Sequence, residues 1–519
     1  MPLSTPADPG TPTGGRADSY DLVVVGAGPA GLAGAVAAAE RGLSVALLDG
    51  DAQLGGQFYR HPAPGLGAAV PEALHHGWAA FDGLRRRWEA GGGSHLPHHH
   101  VWTVASERAA TPGAGADGAS WVVHAVTGPD GDGERPVAVR GRAVLLATGA
   151  AERQLPFPGW TLPGVIGAGG AQAMLKSGLV LPGGRVVVAG SGPLLLAVAS
   201  SLVTAGARVP ALVEASGYLG YARRPDVLAA GPGKLVEAAG HVTRLLGHGT
   251  RPYPRHAVVR AHGAERVEAV TVARLDDDWR PVPGTERRVP CDAVAVGHGL
   301  VPRIELATAL GCATRRTVDG AVALVLDSAQ RTSVPGLWSA GETAGVGGAP
   351  LAMAEGELAG TAIADRLRGA AVARPSARTR SLLRTRARLR AFADVMAAAH
   401  RPGDGWPAWL DDATEVCRCE EVTAGRIAEA VEGLGAGDAR TVKLLTRAGM
   451  GWCQGRVCGP AVACLARRGG HGGGGGGGGR DRRGAEPLNP LPASPERRSP
   501  AVPVRLSTLA ALQPDPDGD

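Results

Sequence analysis

Apolar residues near the start of the chain form blocks separated by glycines, and this pattern predicts a βαβ unit. Asp21 to Val25 predicts a buried strand, an alanine-rich helix follows, and Ser44 to Leu48 predicts a second strand. The turn between the first strand and the helix reads Gly-Ala-Gly-Pro-Ala-Gly at 26–31, and Asp49 ends the unit. This order of strand, turn, helix, strand and acid is typical of a dinucleotide site, for either FAD or NAD.

Each glycine of the first turn has a physical reason. Gly26 permits the tight turn, Gly28 lets the backbone approach a pyrophosphate, and Gly31 lets the helix pack closely on the strand. The helix N-terminus then offers free N–H groups to the phosphates, and Asp49 lies where a carboxylate can bind a ribose hydroxyl. The candidate residues of this unit are Gly26, Gly28, Pro29, Ala30, Gly31 and Asp49.

A second, less complete copy of this pattern follows in the middle of the chain. A strand and glycine turn at 186–193 lead into a helix and a strand that ends at Glu214. Gly190 and Gly192 stand in the turn, but Leu195 replaces the third glycine and narrows the phosphate approach. Two interpretations stay open: a site for NAD or another adenine nucleotide with an unphosphorylated ribose, and a structural remnant that binds nothing.

Three further segments place small residues where a flat ligand could contact the backbone. They are a loop after the first unit, the end of a buried strand at 142–149, and a short strand near Pro335 that leads into a helix. A carboxylate at Glu342 could bind a polyol chain or cap that helix. Another buried strand at 291–299 is expected to return the chain to the first domain. The candidate residues are Gly56, Gln57, Thr148, Gly149, Gly341 and Glu342.

Composition limits the class of protein. A chain of 519 residues with mean hydropathy near zero predicts a soluble protein of two to four domains. The first 18 residues contain no apolar run, which argues against a signal peptide, and no apolar stretch is long enough to span a bilayer. We therefore expect a cytoplasmic protein, with peripheral attachment to the inner face of the membrane left open. The net charge of +6 does not indicate nucleic-acid binding.

Two charged segments have simple interpretations. Residues 376–400 predict an amphipathic helix whose many arginines form a solvated face or a subunit contact. The histidines His95, His98, His99 and His100 predict a solvated or loop cluster rather than a metal site, because adjacent residues of an extended segment point to opposite faces.

Four cysteines in two close pairs indicate metal chemistry. Cys417 and Cys419 are separated by one residue, and Cys453 and Cys458 by four. In a chain without an export signal, such pairs favour zinc or an iron–sulfur cluster over disulfides. A gap of one residue suits zinc poorly but does not exclude it, so spacing alone leaves both metals open. Nearby glycines allow backbone N–H groups to turn toward the sulfurs.

The order of the glycine motifs resembles the two-dinucleotide flavoproteins of the pyridine nucleotide–disulphide oxidoreductase superfamily. GAGPAG at 26–31, GGQ at 55–57, ATG at 147–149 and AGE at 340–342 occur in the order of that family. The resemblance implies FAD across the first turn, Asp49 on the adenosine ribose and Glu342 at the ribityl chain, where the family more often has aspartate. No C-x-x-C follows the GG pair or occurs at 160–180, so a dithiol reaction is unsupported.

The cysteine segment resembles the BFD-like [2Fe–2S] domain. The similarity covers C-R-C-E-E-V-T from Cys417 and G-M-G-x-C-Q-G-R-x-C-G-P from Gly449, and it implies a [2Fe–2S] cluster on Cys417, Cys419, Cys453 and Cys458. Flavin motifs followed by this domain resemble the flavin/iron–sulfur subunits of hydrogen cyanide synthases, opine oxidases and hydroxyproline or proline dehydrogenases.

That resemblance implies an FAD-dependent oxidoreductase that passes electrons within a complex. A separate amine-oxidising flavoprotein subunit would oxidise an amino acid, opine or hydroxyproline, and the acceptor would be a ferredoxin-like or respiratory-chain component. No positioned base or nucleophile stands out in this chain, so catalytic residues stay unassigned. Two other hypotheses are a stand-alone NADH-dependent reductase of a small electron carrier and a non-catalytic iron–sulfur scaffold.

The sequence thus predicts an α/β fold in which an inserted NAD-type Rossmann-like domain interrupts an FAD-binding Rossmann-like domain, with a small helical BFD-like domain after them. Val504 to Ala510 predicts a small docking strand within the C-terminal tail. The predicted boundaries are a disordered leader at 1–18, the FAD domain at 19–160 and 291–372, the inserted domain at 161–290, a helical linker at 373–412, the BFD-like domain at 413–468 and a low-complexity tail at 469–519.

Overall fold

The computed structural model describes residues 19–75, 77–107, 120–128, 133–217, 225, 232–369, 374–469 and 500–510. The predicted leader at 1–18 lies outside them, as does most of the predicted tail.

Most strands lie in two Rossmann-like sheets. The strands are β1 Ser19–Val25, β2 Val45–Leu48, β3 Ser94–Leu96, β4 His100–Glu107, β5 Ser120–Thr127, β6 Arg135–Leu146, β7 Ala150–Glu152, β8 Val165–Gly167, β9 Val186–Gly190, β10 Ala211–Glu214, β11 Arg251–Pro254, β12 His256–His262, β13 Ala269–Arg274, β14 Arg287–Pro290, β15 Ala293–Gly297, β16 Leu300–Pro302, β17 Thr314–Arg316, β18 Val322–Leu324, β19 Leu337–Ser339, β20 Glu415–Cys417 and β21 Val422–Thr423.

Helices cover the sheets and make up most of the C-terminal unit. They are α1 Pro29–Ala39, α2 Trp78–Ala90, α3 Ala168–Gly178, α4 Leu194–Thr204, α5 Pro232–Gly247, α6 Glu305–Ala309, α7 Ala349–Leu367, α8 Ala377–Ala399, α9 Ala424–Ala428, α10 Ala439–Thr446, α11 Gly459–Gly469 and α12 Leu506–Ala510. Within the described ranges no helix is both long and apolar enough to cross a membrane.

The first sheet has the strand order β3-β2-β1-β6-β5-β4, with β19 also on β6. Strands β3, β2, β1, β6 and β19 run parallel, whereas β4 and β5 form an antiparallel ribbon on the first half of β6. The side chains of Leu22, Val23 and Val24 in β1 are fully buried because helices or loops cover both faces of the sheet.

Helices α1 and α7 pack together on one face of this sheet through small residues. A Cβ at Gly356 would overlap the carbonyl oxygen of Ala30, and a Cβ at Gly360 would overlap that of Gly34. The two backbones therefore lie in direct contact, which places the start of α1 and the segment before α7 on the same edge of the sheet.

The second sheet is entirely parallel, with the order β11-β10-β9-β15-β8. Strand β15, Ala293–Gly297, is an internal strand of this sheet, between β9 and β8. The expectation that this strand returns the chain to the first domain is therefore wrong, and the inserted domain extends at least to Gly297. A buried parallel strand has the same apolar sequence in either sheet, so its composition could not assign it.

The small C-terminal unit packs against the inserted domain through aromatic residues. The rings of Trp409 and Trp279 stack 6.0 Å apart at 4°, and Trp409 Nε1 donates to the carbonyl oxygen of Trp279 at 2.9 Å. Trp160 Nε1 likewise donates to the carbonyl oxygen of Glu415 at 2.6 Å. The cluster unit is thus fixed to the second domain and not only tethered to it.

Not all the arginines of helix α8 face solvent. Arg386 Nε and Arg390 Nη2 lie 3.1 and 2.9 Å from Oε1 of Glu355, a fully buried residue of α7. Glu355 Oε2 also accepts a hydrogen bond from the amide of Gly341 at 3.1 Å. For these two arginines the interpretation as a solvated face is wrong, because sequence spacing cannot reveal a buried carboxylate on another helix.

Part of the predicted tail belongs to the folded body. Residues 500–510, here named the C-terminal strap, pack near β4 and β6, and the amide of Ala501 donates to the carbonyl oxygen of Trp102 at 2.8 Å. Residues 506–510 form helix α12 and not the docking strand that the sequence suggested. The rest of the tail, at 470–499 and 511–519, lies outside the described residues.

We expect Glu355→Gln to destabilise the first domain by about 3 kcal/mol, because it leaves two arginines without their buried carboxylate partner. The measurement is thermal unfolding followed by flavin fluorescence. The matched control is Glu357→Gln, which breaks only the solvent-accessible pair with Arg378 and should cost less than about 1 kcal/mol. Equal stability losses in the two variants would contradict the assignment of Glu355 as a central contact.

Candidate functional site

A cavity of about 670 Å³ opens at the C-terminal ends of β1, β2 and β6. All the candidate cofactor residues from the first domain line it except Gly31, which lies behind the turn. The structure thus brings together segments that are far apart in sequence. Those lining residues are Gly26, Gly28, Pro29, Ala30, Asp49, Gly56, Gln57, Thr148, Gly149, Gly341 and Glu342.

The glycine turn has no room for side chains at two of its positions. Gly26 has φ +103°, and a Cβ there would overlap the carbonyl oxygen of Ala147. A Cβ at Gly31 would overlap the carbonyl oxygen of Gly26. Gly28 is the N-cap of α1 and has no side chain that could accept hydrogen bonds from the first amides of the helix. Pro29 is the first residue of the helix. Gly28, Pro29 and Ala30 line the cavity, so the start of the helix lies at its wall and suits the phosphates of a dinucleotide.

Asp49 connects the turn to the second strand. Its Oδ2 accepts from the amide of Ala27 at 2.5 Å, and its Oδ1 accepts from the amide of Asp51 at 2.8 Å. Burial raises the pKa of this carboxyl above its usual value. His99 and His100 also line this end of the cavity. The sequence placed these histidines in a solvated loop, because only the fold brings them beside Asp49.

Glu342 holds the loop that precedes α7. Its two carboxylate oxygens accept from the amides of Gly347 at 2.6 Å and Gly348 at 3.0 Å, and burial raises its pKa. Gly348 is the N-cap of α7, so the capping role is present. Glu342 lines the cavity as well, and its contact with a ribityl chain stays a prediction.

The inserted domain supplies the opposite wall of the cavity. Gln172 and Ala173 of α3 line it together with Glu152 of β7, whose Oε1 accepts from the amide of Gly169 at 2.7 Å. Burial raises the pKa of Glu152, although the amides at the start of α3 oppose that change. Sequence reasoning did not find Glu152, because it has no motif of its own.

Lys176 joins α3 to the loop that contains Gly56 and Gln57. The residue is 7% exposed, and its Nζ donates to the carbonyl oxygen of Phe58 at 3.2 Å and lies 5.7 Å from the centre of the Phe58 ring. Burial lowers the pKa of Lys176 to about 8. This lysine holds the cavity loop against the inserted domain, and no sequence signal marked it.

The second glycine turn has Rossmann geometry. The amide of Gly192 donates to Oε2 of Glu214 at 3.1 Å, as the amide of Ala27 donates to Asp49 in the first domain, but from one residue further along the turn. The amide of Ser216 donates to Oε1 of Glu214 at 2.9 Å. Gly190 has φ +135°, and a Cβ there would overlap the carbonyl oxygen of Gly297.

The segment after α8 covers this second turn. Nδ1 of His400 lies 3.4 Å from Oε1 of Glu214, and Ser191 Oγ donates to the carbonyl oxygen of His400 at 3.2 Å. Glu214, Ser191 and His400 are all buried. The side chain of Leu195 is buried in the core of the inserted domain. A ribose at Glu214 would therefore have to displace His400.

The four candidate cysteines meet in space as successive pairs. Cys419 contacts Cys453, Cys453 contacts Cys458, and Cys458 contacts Cys417. Within the described ranges no group of three or more His, Cys, Asp or Glu side chains is arranged to hold one metal ion, so the cysteines are close in pairs and do not surround a single point. Cys417 and Cys458 are buried, whereas Cys419 is exposed, so one edge of the site faces solvent.

Backbone amides point at these sulfurs. The thiol of Cys458 and the amides of Val457 and Gly455 donate to the Cys453 sulfur and lower the pKa of that thiol. The amide of Gly449 donates to Sγ of Cys417 at 3.5 Å. Four thiols with amide donors fit the thiolate ligands of an iron–sulfur cluster, whose potential rises with such hydrogen bonds.

The cavity and the cysteine site together define an FAD- and [2Fe–2S]-dependent oxidoreductase. Residues 20–364 match the family described as pyridine nucleotide-disulphide oxidoreductase, and residues 415–467 match the BFD-like [2Fe-2S] binding domain. The chain belongs to the pyridine nucleotide–disulphide oxidoreductase family and carries a BFD-like domain. The resemblance, the fold class and both cofactors inferred from the sequence are thereby confirmed.

The chain is similar along most of its length to subunits of larger enzymes. It is 36% identical over 440 residues to hydrogen cyanide synthase subunit HcnB of Pseudomonas aeruginosa, which covers 84% of this chain and 90% of that protein. It is 33% identical over 507 residues to one of the opine oxidase subunits of Agrobacterium tumefaciens, covering 95% and 92%. The L-proline dehydrogenase structure from P. horikoshii shares its fold, with a TM-score of 0.61, 20% identity and coverage of 95% and 79%.

We expect Gly31→Ala to weaken FAD binding by at least about tenfold, because the added methyl group overlaps a backbone oxygen and must push α1 off the turn. The measurement is the FAD content of the purified protein and its dissociation constant for FAD. Gly83→Ala is the matched control: Gly83 lies in α2 with open space around its Cβ position. Normal FAD binding by Gly31→Ala would contradict the packing argument.

We expect the difference in the free energy of unfolding between the wild type and Lys176→Met to change in favour of the wild type as the pH rises from about 8 to 10.4. The folded chain releases the Lys176 proton near pH 8, whereas the unfolded chain keeps it to a higher pH. The unfolded state then binds more protons, so the free energy of unfolding rises with pH, by up to about 3 kcal/mol. Urea unfolding of both proteins across this pH range is the measurement, and parallel pH profiles would contradict the burial of the amine.

Proposed function

We propose that this chain is the electron-transferring subunit of a hetero-oligomeric dehydrogenase or oxidase that acts on the C–N bond of an amino acid, an opine or hydroxyproline. The observation that carries the proposal is the pairing of a flavin cavity with a four-cysteine cluster site in one chain. Two of the similar proteins support it, because one is named as a subunit of hydrogen cyanide synthase and the other as a subunit of opine oxidase.

The chemistry of the two cofactors explains such a pairing. Bound flavin can hold two electrons and release them singly, while a [2Fe–2S] centre accepts one at a time. The protein supplies the binding sites: the glycine turn and Asp49 for the nucleotide, and the cysteine loop for the cluster. Because Cys419 is exposed, electrons can leave the cluster toward an acceptor on the solvent side. A ferredoxin-like or respiratory-chain component in the cytoplasm or at the membrane surface would suit that role.

The carboxylates that line the cavity are engaged in structural contacts, and its two histidines, His99 and His100, lie at the Asp49 end. Among the described residues, each of the five carboxylates that line it already has a partner. Asp49, Glu152 and Glu342 accept backbone amides, whereas Asp51 pairs with Arg60 and Glu305 with Arg456. These contacts support a division of labour in which a partner subunit oxidises the substrate.

The geometry does not favour the hypothesis of a stand-alone NADH-dependent reductase. The ribose of a nicotinamide nucleotide would have to reach Glu214, which the buried His400 covers at 3.4 Å. We therefore propose that the inserted domain binds no dinucleotide and serves as a support for the cluster unit.

We expect the purified chain to contain FAD and a [2Fe–2S] cluster and to be reduced through a partner, not by NADH. The partner to test is an amine-oxidase-like flavoprotein from an adjacent gene, co-expressed and assayed with amino acids, opines and hydroxyproline. The measurement is anaerobic flavin bleaching together with reduction of a one-electron dye. Cys453→Ser is the internal control: it should remove the cluster signal and keep the FAD.

Three results would contradict the proposal. Rapid bleaching by NADH alone would support the reductase instead. A protein that holds the cluster but no FAD would support the scaffold hypothesis. Absence of dye reduction with every such partner and substrate would argue against an amine-oxidising complex.

A further inference from the structure

The loop between Cys453 and Cys458 lies against the wall of the flavin cavity. Arg456 extends from this loop, and its Nε lies 3.4 Å from Oε1 of Glu305, a residue that lines the cavity. The side chains of Arg456 and Glu305 are only 14% and 12% exposed. A near-buried ion pair therefore joins the cluster loop to the cofactor wall.

The other two nitrogens of the same guanidinium contact the cluster loop and the C-terminal strap. Arg456 Nη1 donates to the carbonyl oxygen of Cys453 at 3.2 Å, and Nη2 donates to the carbonyl oxygen of Pro500 at 2.8 Å. The next two strap residues, Ala501 and Val502, line the cavity. One side chain thus touches the cavity wall, a cluster cysteine and the strap.

Keeping an arginine in this place is costly. The Arg456 side chain is only 14% exposed, so the cation has lost most of its contact with water, and the carboxylate of Glu305 at 3.4 Å offsets that loss only in part. A flat guanidinium can contact three groups in different directions at once, whereas the single ammonium of a lysine cannot reproduce that fork. The geometry therefore requires arginine, not only a positive charge.

We propose that Arg456 is a positioning residue that holds the cluster loop on the wall of the flavin cavity, and that its charge raises the reduction potential of the cluster. The inference rests on the proposed function, since it presupposes that electrons pass between the two cofactors. The rate of electron transfer falls steeply with distance, so a fixed loop keeps the transfer fast. A cation beside Cys453 favours the reduced cluster, which carries one more negative charge.

The electron balance is simple. With both groups bound, each transfer would take one electron from the reduced flavin and reduce one ferric ion of the cluster to ferrous. Two transfers would oxidise a fully reduced flavin, with a one-electron acceptor reoxidising the cluster between them and the flavin protons released to solvent.

The test compares Arg456→Gln, which removes the charge and the fork, with Arg456→Lys, which keeps the charge alone. The readouts are the cluster potential, from an EPR-monitored redox titration, and the rate of flavin-to-cluster transfer after flash reduction of the flavin. We expect Arg456→Gln to shift the flavin–cluster equilibrium toward the flavin by about tenfold, which is ~59 mV for one electron. The transfer should also slow by at least about tenfold. Arg456→Lys should have the wild-type reduction potential of the cluster but a slower electron transfer from the flavin to the cluster.

Two further variants show whether the ion pair itself acts. Glu305→Gln should slow transfer, and the double variant with Arg456→Gln should be no slower than Arg456→Gln alone, because both changes break one contact. The matched control is Arg447→Gln, which breaks an Arg–Glu pair in the same unit. Its arginine side chain is 68% exposed and bonds to Glu420. Both readouts should match the wild type in this control.

The outcomes separate this inference from the proposed function. A wild type that transfers no electron from flavin to cluster would overturn both. A wild type that transfers normally, with Arg456→Gln unchanged in potential and rate, would overturn the role of Arg456 alone. If Arg456→Gln fails to retain its cofactors, Arg456→Lys and Glu305→Gln decide the question, and wild-type rates in both would overturn the inference.

Discussion

The structure depends on direct contact between backbones at the C-terminal edge of the first sheet. At Gly26, Gly31 and Gly356 a side chain would overlap a carbonyl oxygen of a neighbouring element. These contacts let α1 lie on the glycine turn with its N-terminus toward the cavity, and they bring α7 behind it. Because protein interiors tolerate little overlap, the cavity exists only while these positions stay free of side chains. The FAD site is thus a result of helix packing as much as of ligand-binding groups.

The inserted domain repeats this architecture, but its crevice is covered. Its acid, Glu214, binds a turn amide as Asp49 does in the first domain, but the chain itself covers the site with His400. The same linker continues to Trp409, which stacks on Trp279 and anchors the cluster unit. A crevice that in related architectures receives a ligand here receives a segment of its own chain, which fixes the cluster unit beside the flavin cavity.

Local motifs could be predicted because their function depends on neighbouring residues. The glycine turn and Asp49 belong to one βαβ unit and the four cysteines to one small domain, so the sequence indicates them through short motifs at fixed spacing. Glu355, Glu152 and Lys176 could not be found in this way. Each is an isolated residue in a helix or strand, and its role comes from a partner that is distant in sequence: α8 for Glu355, α3 for Glu152 and Phe58 for Lys176.

The sequence by itself determined the kind of fold and the order of its parts, since glycine spacing, strand patterns and cysteine pairs are short-range properties, and its resemblance to known families supplied the two cofactors. Only the tertiary structure decided which sheet receives β15, whether the second turn is open, and where the cluster loop lies. The reason is physical: apolar strands suit either sheet, and a turn is open or covered according to what packs on it. The first turn at 26–31 remains open to its ligand, and its near copy at 190–192 is closed by His400.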